Sequence, residues 1–206
     1  YVHYFVAPSL EIKACMGVFL FGAMLCLYMS TMFHTCSAHS LNVLKVTSRC
    51  DYAGIAVLIS ASIVPVVDYC FYCATMLKII YFSLLGLFGT TTIVVTMIPA
   101  FDTPKFRTTR LLVFIALGAT GIFPVIHSGI LYGFDRLIDS LNMQWVAISC
   151  AIYLIGGTIY AARVPERWFP GRCDLVGQGH QIFHVCVVVA AYMHYRFVFL
   201  GGESLV

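Results

Sequence analysis

Long uncharged runs constrain this chain more than any other feature. Ala14 to Phe33, Ile79 to Phe101 and Ser140 to Ala162 contain no Asp, Glu, Lys or Arg. Tyr52 to Leu77 contains only Asp68, and Leu111 to Phe134 contains none, with His127 its one ionisable group of note. Leu175 to Leu200 holds three histidines and, near its end, Arg196. A bilayer-spanning helix needs about 20 predominantly apolar residues. The sequence therefore predicts six spans, at about residues 14–36, 52–74, 79–101, 111–134, 140–162 and 175–200. The runs are too long, and alternation too rare, for a membrane β-barrel. Only 10% of the residues are charged and 61% are apolar, whereas a soluble domain carries about 25% charged residues. That excludes a soluble globular protein and a disordered chain. The formal charge of +3, from 12 Lys+Arg against 9 Asp+Glu, is too weak and scattered for a nucleic-acid binder. The fold class is an all-α membrane protein, one helical domain over residues 1–206. Internal repeats and low-complexity segments are lacking, and the loops are too short for a second domain.

Basic residues set an expected orientation, because cytoplasmic loops carry the excess of Lys and Arg. The connections after spans one, three and five hold Lys45 and Arg49; Lys105, Arg107 and Arg110; and Arg163, Arg167 and Arg172. The opposite side holds Lys13, Lys78, Arg136 and Arg196. The first group is expected to face the cytoplasm, with both ends of this chain outside. There is no initiator Met or signal-peptide pattern, and the abrupt start at Tyr1 is expected of a fragment. Nine cysteines at irregular spacing define no disulfide framework. Cys70 and Cys73 form a lone CxxC, for which helix packing is favoured over a metal site because no second pair exists.

Ionisable residues inside a bilayer are costly, so each is a functional candidate. His34 ends span one and Asp51 opens span two, at the same face. His180 and His184 begin span six at that face, four residues apart and so on one side of the helix. Ser30 lies one turn before His34. Three imidazoles from two helices suit Zn²⁺, whose catalytic sites use three protein ligands and keep a fourth position for water. Asp51 could take that water's proton, and Ser30 could bond a substrate oxyanion. The alternative is that the histidines make interhelical hydrogen bonds that fix packing. Iron or copper would suit three imidazoles as well. His127 is expected to be a packed, hydrogen-bonded histidine, His194 to point away from the cluster, and Asp68 to snorkel near the outer end of span two. His39 and His3 are left out of the site.

Several segments resemble the progestin and adipoQ receptor family, and its adiponectin-receptor branch in particular. They are Phe33-His34-Thr35, Asp51 to Ala56, Phe71-Tyr72-Cys73, Thr103-Pro104-Lys105, Tyr160 to Gly171 and His180 to Val185. The resemblance covers nearly the whole chain. It implies a seven-helix fold whose first helix would precede Tyr1, and a zinc site on His34, His180 and His184. It also implies Asp51 as the holder of the zinc-bound water, with Ser30 beside it. Gly179 departs from the polar residue expected before His180, which puts a supporting contact in question.

Two functions follow as expectations. In one, zinc-bound hydroxide hydrolyses the amide of a ceramide-like membrane lipid, giving a fatty acid and a sphingoid base. In the other, the zinc is structural and the chain is a plasma-membrane receptor for an extracellular, adiponectin-like protein. A channel or transporter is disfavoured, because the charged groups gather at one face and do not line a midplane path.

Overall fold

A computed structural model describes residues 9–173 and 175–204, and within them the chain is all helix, turn and loop. Its helices are α1 (Leu10–Cys36), α2 (Leu41–Cys70), α3 (Thr75–Met97), α4 (Arg107–Ala119), α5 (Ile122–Tyr132), α6 (Gln144–Ala162) and α7 (Gly179–Glu203). Because α4 and α5 form one stretch, six segments are long and apolar enough to cross a membrane. His3 lies outside the described residues.

Local chemistry sets the boundaries. Ser9 starts α1 by accepting the Ile12 N–H at 3.3 Å, and Ser40 starts α2 by accepting the Val43 N–H at 3.3 Å. The second cap starts the helix ahead of the span expected at residues 52–74. α2 begins at Leu41, so Lys45 and Arg49 are on the helix, and Asp51 lies well inside it. The two cations bound the apolar stretch without ending the helix, since Lys and Arg are good helix formers. The span expected at 111–134 is interrupted at Thr120 and Gly121. Pro124 explains the break: it has no N–H to offer the Thr120 carbonyl, and its ring crowds that turn.

α2 is the central pillar. Six consecutive residues near its end, Pro65 to Cys70, are all buried, as only a helix covered on every side can be. Tyr69 donates to the Val198 carbonyl of α7 at 2.9 Å, and Ser128 of α5 donates to the Cys70 carbonyl at 3.1 Å. His194 Nε2 lies 2.9 Å from the Ser62 carbonyl, which can only accept, so that nitrogen carries the proton. His127 Nδ1 lies 3.0 Å from the Tyr81 hydroxyl, the packed and bonded histidine expected from the sequence. Small residues bring α1 against α2. A Cβ on Gly22 would lie 2.4 Å from Ala61 Cβ, and one on Gly54 would lie 3.1 Å from Cys26 Cα. Such close backbone approach is how helices associate where lipid removes the hydrophobic drive between them. Large apolar side chains such as Phe21, Met24, Leu87, Phe123 and Ile130 cover the outside.

Asp68 does not snorkel. It is 2% exposed and accepts from Lys78 Nζ at 2.8 Å; Lys78, itself 7% exposed, also pairs with Glu11. The three residues join α2, α3 and α1 at the end of the bundle away from the four clustered residues. Hydrocarbon offers a carboxylate no water, so a buried cation takes its place.

Candidate metal centre

α1 closes at Cys36, with the Ser37 N–H bonded to the Phe33 carbonyl at 3.0 Å, which leaves His34 in its last turn. α7 opens at Gly179, so His180 and His184 occupy its first two turns on one side. The two helix ends meet at their imidazoles. His34 Nε2 lies 3.3 Å from His184 Nε2 and 3.3 Å from His180 Nε2, and the last two are 3.2 Å apart. The structure thus brings together His34, His180 and His184 as a group able to hold a metal ion.

Hydrogen bonding alone does not satisfy such a triangle. Each Nε2 of a neutral imidazole either bears a proton or offers a lone pair. Three mutually adjacent atoms cannot alternate the two roles, so at least one contact sets donor against donor or acceptor against acceptor. A cation accepting all three lone pairs removes the conflict.

Asp51 on α2 and Ser30 on α1 are both 8% exposed and lie near His34, across the tight α1–α2 interface. The side chains acting on the Asp51 carboxyl are the Ser30 hydroxyl and the His34 imidazole. His194, His127 and the exposed Cys73 stand apart, as does His39 in the turn after α1.

The supporting contacts of three residues escaped sequence reasoning. The Tyr160 ring packs 5.4 Å from that of His180 and carries the Arg107 guanidinium 5.2 Å over its face. Glu166 Oε2 accepts the Gly179 N–H at 2.7 Å, capping α7 one residue before His180. Capping at a distance of 13 residues leaves no local motif. Gly179 itself is explained by space. A Cβ there would lie 2.6 Å from the Val164 carbonyl oxygen and 3.1 Å from that of Ile159, so the expected polar side chain has no room. His180 Nδ1 is buried without a partner among the described residues.

The Gly179 N–H holds the Glu166 carboxyl below its ordinary value of 4.5. A group with a depressed folded-state pKa stabilises the fold above its unfolded value, and that contribution is lost as pH falls through the folded one. The pH window therefore lies below about 4.5. Glu166 is solvated, which keeps the effect small. Thermal melts in detergent are expected to show Glu166→Gln about 1–3 °C below the parent near neutrality. The two curves should converge in acid. A gap unchanged at low pH would remove the carboxylate from this role.

A family model described as "Haemolysin-III related" matches residues 1–195. The chain is 42% identical to the "Adiponectin receptor protein" of Drosophila melanogaster over 94% of this chain and 45% of that protein. It is 42% identical to "Progestin and adipoQ receptor-like protein 1" of Caenorhabditis elegans over 89% of this chain and 42% of that protein. It is 43% identical to the "Heptahelical transmembrane protein ADIPOR3" of Oryza sativa subsp. japonica over 86% and 44% respectively. The chain spans a little under half the length of these relatives.

Proposed function

The chain belongs to the haemolysin-III-related family that includes the progestin and adipoQ receptors, as an adiponectin-receptor-like integral membrane protein, and on that premise we propose that His34, His180 and His184 hold a zinc ion and that the site hydrolyses a lipid amide. The carrying observation is the Nε2 triangle with a buried carboxylate beside it. Tetrahedral zinc with nitrogens at about 2.0–2.1 Å requires those nitrogens to be about 3.3–3.4 Å apart. The three separations of 3.2, 3.3 and 3.3 Å support that fit. When bound, zinc supplies Lewis-acid polarisation of a carbonyl and lowers the pKa of water.

The chain's own residues do the rest. The Asp51 carboxylate accepts a proton from water as the water oxygen bonds to the amide carbon, and returns it to the amide nitrogen as the carbon–nitrogen bond breaks. The products are a carboxylic acid and an amine. Ser30 orients Asp51 and, one helical turn before His34, serves to bond a developing oxyanion. The surrounding apolar bundle excludes bulk water, which strengthens these interactions. A ceramide-like lipid suits a site within a bilayer at the inner ends of α1 and α7. The inward direction rests on the basic residues: eight lie at the histidine end of the bundle and four at the other. By that assignment the end of α7 faces outward; the plasma membrane is proposed from the likeness to adiponectin receptors, not from charge.

A second reading rests on a specific observation: the triad links the end of α1 to the start of α7. In this reading the zinc is a structural tie, and an adiponectin-like protein acts from outside, as the name of the Drosophila relative suggests. Metal content tests the premise shared by both. Purified protein is expected to hold about one zinc per chain. His34→Ala should lose it, along with most of the stability that a chelator removes from the parent. Full zinc retention in His34→Ala would end both readings.

A further inference from the structure

We propose that the connection between α6 and α7 binds the headgroup of an anionic phospholipid in the surrounding bilayer. This inference needs only the membrane assignment and stands independently of the metal. Residues 163–178 carry Arg163, Arg167 and Arg172 against Glu166 and Asp174, a net charge of +1 (three minus two). The same segment exposes four large apolar side chains: Trp168 (67%), Phe169 (50%), Leu175 (87%) and Val176 (79%). Both ends of the segment join spanning helices, which holds it at the bilayer surface. There the exposed aromatic and aliphatic groups have a place, the headgroup boundary, where Trp is enriched and amphipathic segments bury their apolar side.

Two of the cations, Arg163 and Arg167, line a recess, and Arg172 follows it in the same loop. A cavity of about 470 Å³ is lined by Ala161, Ala162, Arg163, Glu166, Arg167 and Pro170. Its one carboxylate, Glu166, is occupied by the Gly179 N–H and feels Arg163. No ion pair involves Arg167 or Arg172 among the described residues. Among the described residues the recess therefore offers the Arg167 guanidinium without an ion-pair partner, beside an apolar rim. Planar guanidinium groups match phosphate oxygens, and basic clusters next to spanning helices recognise anionic lipids. A lipid presents the phosphate and the acyl chains together, so it satisfies both the arginines and the apolar rim. A free anion satisfies only the first.

The experiment uses the full chain in bilayer discs of phosphatidylcholine doped with an equal fraction of brominated phosphatidylserine or brominated phosphatidylcholine. Trp145→Phe leaves Trp168 as the fluorescent reporter; in the unmodified chain the same comparison runs over a constant Trp145 background. Brominated phosphatidylserine should quench Trp168 more strongly, with its apparent affinity falling about fivefold for each of Arg167→Gln and Arg172→Gln. His34→Ala should leave the preference intact, which separates this site from the metal centre. Equal quenching by the two lipids overturns the proposal, as does a preference that survives both arginine substitutions. Loss of the preference on adding inorganic phosphate would assign the recess to a free anion. Absence of quenching by either lipid would place the loop off the membrane and mark it as a surface for a protein.

Discussion

Asp51→Asn is expected to lower lipid amide hydrolysis by about 10²–10⁴-fold, the range for loss of a positioned general base, with zinc content unchanged. The substitution is nearly isosteric. It keeps the contact with Ser30 and removes the group able to take a proton. Asp51 is buried and outside the group of three histidines able to hold a metal ion, so its substitution should leave zinc binding intact. Ser30→Ala should give a smaller defect, about tenfold, because the hydroxyl orients the carboxylate and does not itself carry the proton. Purified protein in discs containing a ceramide-like lipid, with released fatty acid measured by mass spectrometry, provides the readout. Turnover by Asp51→Asn at the parent rate would falsify the hydrolytic mechanism. If the zinc-loaded parent turns over no lipid while a chelator lowers its thermal midpoint, the structural reading of the metal stands instead.

The site was legible because the chain has so few charges. Once the uncharged runs fix the number of spans, His34, Asp51, His180 and His184 fall at one face by counting alone, and the i, i+4 spacing of the last pair fixes their common side. Helix boundaries were less legible. A charge marks where the hydrocarbon ends, not where the helix ends, and Lys45 and Arg49 lie on α2 past that limit. The break between α4 and α5 was not foreseen, because membrane helices tolerate an internal proline; the consequence of Pro124 appears at Thr120, one turn earlier. Arg107 was read only as a loop charge, and Tyr160 and Glu166 only as parts of the Tyr160 to Gly171 segment; their contacts with the start of α7 could not be found. Each acts on the start of α7 across a loop or from another helix, and no periodicity encodes such a contact. Gly179 shows the opposite limit. Its reason is the carbonyl oxygen of Val164 passing close by, which a one-dimensional reading interprets as a missing polar group.

The same distinction governs the other end of the bundle, where Lys78→Met is expected to cost about 3–5 kcal/mol, the usual consequence of stranding a buried charge. Asp68 already has one carboxylate oxygen, Oδ2, buried without a partner among the described residues. Its other oxygen depends on Lys78. With methionine at position 78 the carboxylate has no cation and no water, and α2 and α3 lose their tie. The thermal midpoint in detergent should fall by about 10 °C or more. Glu11→Gln should cost under about 1 kcal/mol, because Glu11 is half exposed and its half of the network is screened. The discriminating variant is the double substitution Asp68→Leu with Lys78→Met. Replacing both members of a buried pair by apolar groups of similar size is often neutral or stabilising, so the double variant should recover most of the stability lost in the single one. Recovery would show that Asp68 and Lys78 exist for each other. A double variant as unstable as Lys78→Met would mean that the lysine stem's packing, and not its charge, holds this end of the bundle together.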